Sequence, residues 1–152
     1  MNARAVAAQR AEILLVDDDE DHAYLTRMAF GKAVRAATLH HVTDGRKCLQ
    51  FLRRQAPYQA APVPDLILLD LDMPVMSGPE VLAEIVADED LRHLPVVVLT
   101  SHDEEAEVMR MYRLRCNSYI RKPVDLDVYV DVIRKFADYW LSAAILPSRR
   151  AH

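Results

Sequence analysis

Four consecutive apolar residues, Leu66 to Leu69, constrain the fold more than any other part of this chain. The run starts after Pro64-Asp65 and stops at Asp70, and its length fits a strand better than a helix. Because none of its positions is polar, both faces of the strand should be buried, as in a parallel sheet covered by helices on both sides. Asp70 is then expected at the carboxyl edge of that sheet, where open α/β sheets bind their ligands.

Amphipathic segments alternate with further apolar strands along the whole chain. The predicted strands are 13–16, 38–42, 66–69, 96–100 and 118–121, and the predicted helices are 20–32, 45–54, 79–87, 103–114 and 125–141. Five β-α units of this kind predict an α/β fold with one parallel sheet. The 152 residues suffice for one such domain. We expect residues 11–142 to form it, with 1–10 as a flexible N-terminal tail and 143–152 as a C-terminal tail.

Polar residues follow four of the predicted strands at their carboxyl ends. In chain order they are Asp17, Asp18 and Asp19; Asp70 and Asp72; Thr100; and Lys122. Adjacent aspartates repel one another, and a divalent cation with oxygen ligands relieves that repulsion. The alternative for the first cluster is a set of caps for the following helix. Taken together, the acids, the hydroxyl and the ammonium predict a site for Mg²⁺ and a phosphoryl group.

Charge and composition argue against several classes of function. The net charge of −4 gives no electrostatic basis for binding nucleic acid. No apolar run approaches the roughly 20 residues of a membrane helix, and residues 1–10 lack a secretory signal, so a cytoplasmic protein is expected. The two cysteines and six histidines show no metal-binding spacing, and the histidines are expected to be surface or cap residues. Only His102, two residues after Thr100, is a candidate for changing the rate at which a phosphoryl group at the site is hydrolysed.

The strand-end residues resemble those of the receiver domains of two-component response regulators. The likeness runs from about residue 13 to residue 141 and is carried by segments 16–18, 70–74 with Gly78, 99–101 and 119–123. It implies a flavodoxin-like, doubly wound fold of five β-α units with strand order 2-1-3-4-5. It also implies that the protein is not an enzyme acting on a separate substrate. Its chemistry would be Mg²⁺-dependent self-phosphorylation and autodephosphorylation.

The resemblance implies a phosphorylation site and a set of metal ligands. Asp70 would be the phosphoacceptor. Asp18 and Asp70 would bind Mg²⁺ directly, together with the main-chain carbonyl of Asp72. Asp17 would act through a water molecule.

The same resemblance implies contacts to the phosphoryl group and a conformational switch. Lys122 would pair with the phosphoryl oxygens and Thr100 would donate a hydrogen bond to them. Tyr119 matches the aromatic residue that reorients when Thr100 moves. Many receivers carry Asn where this chain has Asp72. Asp72 and His102 are therefore the residues expected to set the lifetime of the phosphoryl group.

The C-terminal segment 136–147 and the proline-rich loop before Leu66 resemble a narrower group. They are similar to small regulators that pair with phytochrome histidine kinases in cyanobacteria and other bacteria. This resemblance implies a sensor histidine kinase as phosphoryl donor, with a bacteriophytochrome as the leading candidate. The expected function is that of a single-domain response regulator, with no output domain, whose phosphorylation switches its contacts with other proteins.

An enzyme is the main alternative. Leu69-Asp70-Leu71-Asp72 also resembles the DxD motif of haloacid-dehalogenase-type phosphatases. In those enzymes the motif comes first and an acidic pair last, whereas here Asp17-Asp18 comes first and no acidic pair follows Lys122 at a strand end. Motif order disfavours this alternative. A third interpretation, a transcription regulator without its effector domain, is not tested by the short tail after residue 141.

The predicted final helix carries more apolar surface than one buried face requires. One stripe should face the sheet, and a second consists of Val128, Val132, Phe136 and Tyr139. A stripe of this kind is typical of a protein interface, and a symmetric homodimer is the most economical partner. The alternative is that residues 143–146 fold back over it.

Overall fold

Strands and α-helices alternate along residues 10–33 and 37–147, the part of the chain that this computed structural model describes. The strands are β1 (Ala11–Val16), β2 (Ala37–Val42), β3 (Leu66–Leu69), β4 (Val96–Thr100) and β5 (Ser118–Arg121). The α-helices are α1 (Glu20–Ala33), α2 (Gly45–Leu52), α3 (Gly78–Ala87), α4 (Glu105–Arg113) and α5 (Leu126–Ala137). A π-helical turn, Asp138–Ala143, follows α5. In these residues no helix is long and apolar enough to cross a membrane.

The five strands form one parallel sheet in the order β2-β1-β3-β4-β5. This confirms the predicted α/β, flavodoxin-like, doubly wound fold. Val16 pairs with Val42 on one side and with Leu69 on the other, and Leu69 pairs with Val98. Because these registers align the strand ends, the residues that follow β1 and β3 emerge side by side at the carboxyl edge.

The apolar strands are buried because helices cover both faces of the sheet. All four residues of β3 are 0 or 1% exposed. Ile67 and Leu69 pack in the core beneath α2 and α3, whereas Leu66 and Leu68 pack in the core beneath α1 and α5. A polar residue at any of these four positions would lose its hydration without a partner, which explains the uninterrupted apolar run.

The C-terminal end of α5 departs from the prediction. The α-helix ends at Ala137 rather than near residue 141, and the π-helical turn takes over. Phe136, predicted to lie on the interface stripe, is only 4% exposed and makes an edge-to-face contact with Phe30 of α1, with ring centroids 5.8 Å apart. That assignment was wrong because α1 packs beside α5 and covers Phe136. Val128 and Tyr139 remain exposed, at 51% and 58%.

The chain ends were predicted to be tails, and the described residues include only Arg10 of the first and residues 143–147 of the second. Arg10, placed in the N-terminal tail, donates hydrogen bonds to the carbonyl of Ala37 at 2.6 Å and to the hydroxyl of Thr38 at 3.1 Å. It is therefore attached to β2. At the other end Ile145 is 98% exposed. Up to residue 147 the tail does not cover the exposed part of the apolar stripe.

Candidate functional site

Three carboxylates converge at the carboxyl edge of the sheet. Oxygen atoms of Asp17, Asp18 and Asp70 all lie within 4.8 Å of one another. Asp17 and Asp70 are buried, at 1% and 9% exposure, whereas Asp18 is exposed. The backbone ladder continues one residue past each strand, since the Asp17 N–H donates to the Val42 carbonyl at 3.1 Å and the Asp70 N–H to the Val16 carbonyl at 3.0 Å. The sheet itself therefore brings these acids together.

Lys122 supplies a buried positive charge to this cluster. Its Nζ donates to Oδ2 of Asp17 at 2.9 Å, and both side chains are almost fully buried. The Lys122 backbone N–H donates to the carbonyl of Thr100 at 2.7 Å, which anchors the start of the loop between β5 and α5. Sequence position alone did not show that the ammonium pairs with Asp17. Among residues 10–33 and 37–147, one ammonium faces the three carboxylates, so negative charge remains in excess.

Burial sets the proton affinity of Asp70. Removal from water raises the pKa of its carboxyl group to about 6, and the neighbouring charge of Asp17 acts in the same direction. Lys122, the backbone N–H of Leu71 at 2.8 Å from Oδ1, and the Thr100 hydroxyl all favour the carboxylate and oppose the rise. The net rise means that the carboxylate is held at an energetic cost. Perturbation of this kind, in a group at a strand edge, is typical of functional sites.

The cluster suits a small divalent cation. Its donors are all carboxylate oxygens, which hard cations such as Mg²⁺ and Mn²⁺ prefer. The spacing within 4.8 Å allows one ion to contact an oxygen from each acid, and the exposed Asp18 leaves one side open to water and to a further ligand. These three residues could hold such an ion, and its positive charge would offset the repulsion between their carboxylates.

Thr100 and Tyr119 lie on the two strands beside the cluster. Thr100 ends β4 and is 1% exposed. The hydroxyl group of Tyr119 in β5 donates to the carbonyl oxygen of His102 at 2.8 Å. Burial raises the pKa of Tyr119 to about 12, so the phenol stays protonated and can donate. Tyr119 thus contacts the loop that begins directly after Thr100.

Comparison with known proteins identifies the family. The family described as "Response regulator receiver domain" matches residues 13–134. The chain belongs to this receiver family. It is 36% identical over 140 residues to the response regulator Rcp1 of Synechocystis sp., an alignment that covers 90% of this chain and 92% of that protein. This confirms the receiver prediction and favours it over the phosphatase alternative.

Solved structures of receiver proteins superpose closely. The phosphorylated cyanobacterial phytochrome response regulator RcpA aligns with a TM-score of 0.86 and 37% identity, over 91% of this chain and 99% of that one. The Mn²⁺-bound form of Rcp1 aligns with a TM-score of 0.83 and 36% identity, over the same shares of the two chains. Receiver domains of this kind bind divalent cations, and the carboxylate cluster of this chain is consistent with that property.

Asp72 and His102, predicted to tune the site, contact each other in this receiver. The imidazole Nε2 of His102 meets Oδ2 of Asp72 across the gap between two loops. The hydrogen bond to this carboxylate raises the pKa of His102. The Asp72 side chain is largely exposed and is not one of the three that converge. The pair therefore lies beside the carboxylates, on the rim of the receiver site.

Gly78 permits the close packing behind Asp70. A Cβ atom at Gly78 would lie 2.6 Å from the Asp70 carbonyl oxygen and 2.7 Å from Cα of Leu71, closer than real Cβ contacts. The Gly78 N–H donates to the Leu71 carbonyl at 3.0 Å, and Ser77 and Glu80 form a capping box that starts α3. The glycine of the receiver motif is explained by this approach of α3 to the loop that carries Asp70.

Two histidines near the site were not predicted from the sequence. Nδ1 of His22 lies 3.3 Å from Nζ of Lys122, and Nε2 of His41 lies 2.8 Å from the backbone oxygen of Asp17. Both had been expected to be surface or cap residues. Strand order gave a usable signal for His41, because the second strand of a 2-1-3-4-5 sheet ends beside the residue that follows the first.

Proposed function

We propose that Asp70 of this response regulator accepts a phosphoryl group from a phosphohistidine of a sensor histidine kinase. The observation that carries the proposal is the convergence of the Asp17, Asp18 and Asp70 oxygens within 4.8 Å, with the Lys122 ammonium 2.9 Å from Asp17. Mg²⁺ would be held by Asp18, Asp70 and the main-chain carbonyl of Asp72, with Asp17 acting through water. When bound, the ion neutralises charge on the carboxylates and on the incoming phosphoryl oxygens.

Side chains of the protein carry out the other steps of phosphoryl transfer. An oxygen of Asp70 attacks phosphorus, and the donor imidazole leaves as the P–N bond breaks. Lys122, already buried at the site, offers N–H donors to the phosphoryl oxygens, and the Thr100 hydroxyl donates a further hydrogen bond. As Thr100 moves to make that bond, the adjacent loop shifts, and Tyr119 is expected to reorient because it is tied to that loop through His102.

The pair of Asp72 and His102 is expected to set how long the phosphoryl group survives. Both side chains lie beside the site and reach solvent. Hydrolysis requires a water molecule in line with the Asp70–phosphorus bond. Side chains on the rim of the site control how easily such a water is placed. Replacing either residue with alanine should therefore change the rate of dephosphorylation without preventing phosphorylation.

A phytochrome-type kinase is the proposed phosphoryl donor, and the cytoplasm the proposed location. The support is the similarity to RcpA, described as a phytochrome response regulator, over nearly the full length of that chain. We propose that the kinase docks on a surface beside Lys122. An apolar hollow of about 240 Å³ lies between α1 and the loop before α5, lined by His22, Leu25, Pro123, Val124 and Leu126. Val124 is fully exposed there.

Phosphotransfer from a purified, autophosphorylated kinase tests the proposal. We expect the wild-type chain to take up label in seconds to minutes with Mg²⁺, and Asp70→Asn to take up none. Label appearing on Asp70→Asn at the wild-type rate would contradict the assignment. Profiling against the histidine kinases of the source organism would identify the donor, with phytochrome kinases expected to transfer fastest.

The docking surface has its own test. Leu25→Asp should slow transfer from the kinase by at least about tenfold, since a buried charge at an interface costs more than about 1.4 kcal/mol. It should leave labelling by acetyl phosphate unchanged, because a small donor needs no docking surface. Met109→Asp is the matched control: Met109 is 49% exposed on α4, away from the hollow. Equal slowing by both substitutions would contradict the proposed surface.

We also propose a homodimer formed through the exposed part of the α5 stripe. Val128 and Tyr139 are more than half exposed, and Val132 lies partly buried between them. Val128→Glu should shift the protein towards monomer while leaving labelling of Asp70 by acetyl phosphate intact. Light scattering over a concentration series measures this. A wild-type protein that remains monomeric in both phosphorylation states would rule out the dimer.

A further inference from the structure

The geometry points to His41 as a positioning residue that sets the metal affinity of the carboxylate cluster, an inference that rests on the Mg²⁺ site proposed above. His41 is the penultimate residue of β2 and pairs in register with Leu15 of β1. From there its side chain reaches past the end of β1, where Nε2 lies 2.8 Å from the backbone oxygen of Asp17. A carbonyl oxygen only accepts hydrogen bonds, so Nε2 carries a proton and donates.

This contact completes a two-point attachment of Asp17 to the edge strand. The Asp17 N–H donates to the Val42 carbonyl at 3.1 Å, and the Asp17 carbonyl accepts from His41 at 2.8 Å. The two groups flank the Cα atom of Asp17, so both its peptide units are held. The second of these units joins Asp17 to Asp18. Because a peptide unit is planar, fixing its carbonyl oxygen also fixes the N–H of Asp18 and the direction in which the chain continues.

Asp18 depends on this attachment more than its neighbours do. The carboxylate of Asp17 is held by Lys122 and by the backbone N–H of Asp19 at 2.9 Å, and that of Asp70 by the N–H of Leu71. For the exposed Asp18 side chain, the described residues provide no hydrogen bond or ion pair. Within the described part of the chain, the position of Asp18 is therefore set by its own backbone. His41 anchors that backbone from a strand that contributes no ligand.

Groups that orient metal ligands without touching the metal typically change affinity by 10–100-fold when removed. His41 acts through a backbone carbonyl rather than on a ligand atom, so we expect the lower end of that range. The effect should fall on metal affinity and not on maximal reactivity. The substitution leaves the carboxylate of Asp70 and the ammonium of Lys122 unchanged, so the rate at saturating Mg²⁺ should be that of wild type.

The adjacent His40 provides a matched control. It lies on the opposite face of the same strand, where Nε2 lies 2.5 Å from Oε2 of Glu12 and the ring packs on Phe51 with centroids 5.6 Å apart. Loss of His40 removes a histidine, a hydrogen bond and packing from β2, but touches nothing at the carboxyl edge. A loss of Mg²⁺ affinity that is seen in variants of both His40 and His41 would reflect the stability of β2.

The test is a Mg²⁺ titration of the unphosphorylated full chain by calorimetry. We expect His41→Leu to bind Mg²⁺ about tenfold more weakly than wild type. His41→Gln, whose Nε2 is the same number of bonds from the backbone, should restore the affinity to within about twofold of wild type. His40→Leu should bind as wild type does. Affinity unchanged in His41→Leu, or lowered equally in His40→Leu, would overturn the inference.

Acetyl phosphate labelling and imidazole NMR test the same role of His41 independently of calorimetry. Acetyl phosphate labelling of His41→Leu should need about tenfold more Mg²⁺ for half-maximal rate, yet reach the wild-type rate at saturation. In the wild-type chain, imidazole nitrogen NMR should show Nε2 of His41 protonated, and a tautomer with a bare Nε2 would overturn the inference even if variants fail to fold. A wild-type chain that binds no Mg²⁺ contradicts the proposed metal site itself, a distinct outcome.

Discussion

The two edges of the sheet use polar residues in opposite ways. At the amino edge, Asp65 precedes β3 and its Oδ2 accepts from the Glu12 N–H at 2.7 Å, while its own N–H donates to the Glu12 carbonyl at 2.7 Å. Asn117 makes the same exchange with Val96 in front of β5, at 2.8 Å in both directions. At the carboxyl edge, Asp17, Asp18 and Asp70 crowd together instead.

Aspartates at the two edges therefore have different roles: Asp65 supports the fold, whereas Asp70 belongs to the candidate site. Asp65 accepts a hydrogen bond from the partly buried backbone N–H of Glu12, so it stabilises the fold. Asp70 accepts one backbone hydrogen bond but lies beside other acids, and burial raises its pKa to about 6, so it weakens the fold when no cation is bound. Substitutions at the two edges should therefore change stability with opposite signs.

The largest change in stability is expected at the amino edge. Asp65→Ala leaves the Glu12 N–H without its acceptor and should lower the free energy of unfolding by about 1–3 kcal/mol. Asp65→Asn keeps a carbonyl acceptor and should cost less. Chemical denaturation of both variants measures the difference. An unchanged free energy of unfolding in Asp65→Ala would contradict the stabilising role of Asp65.

At the carboxyl edge, Asp70→Asn should stabilise the metal-free protein. The pKa of Asp70 rises from 3.8 to about 6 on folding. Its contribution to stability is therefore fully present below about pH 4 and is lost as the pH rises through about 6. An asparagine side chain does not ionise, so the variant loses no stability in this way as the pH rises. After allowance for solvent screening, we expect Asp70→Asn to gain about 1–2 kcal/mol over wild type above pH 6. In EDTA the gain should shrink towards pH 4. A gain independent of pH would contradict the electrostatic explanation.

Added Mg²⁺ should relieve the same repulsion. At ten times its dissociation constant the ion should raise the free energy of unfolding of wild type by about 1.4 kcal/mol. Asp18→Ala removes one of the converging oxygens and should show no such increase at that concentration. Asp65→Asn, at the other edge, should respond to Mg²⁺ as wild type does. Thermal unfolding with and without the ion makes this comparison.

The sequence predicted the carboxyl edge well and other regions less well, for physical reasons. Strands with no polar position have one favourable environment, so the runs before Asp17 and Asp70 predicted that these two carboxylates meet at one edge of the sheet. The role of His41 required the neighbouring strand, because a hydrogen bond to a backbone carbonyl leaves no periodic pattern. Phe136 was misassigned because helical periodicity gives the apolar face of a helix but not which neighbouring helix covers it.

The converging carboxylates of Asp17, Asp18 and Asp70 are proposed to serve one reaction, the phosphorylation of Asp70. The most direct test of this proposal is to phosphorylate the chain with acetyl phosphate and Mg²⁺, reduce the acyl phosphate with borohydride, and map the reduced residue by mass spectrometry. We predict modification at Asp70 alone in wild type and in Asp65→Asn, and none when Mg²⁺ is removed. Modification at Asp17, Asp18 or Asp72 with Asp70 unmodified would contradict the account.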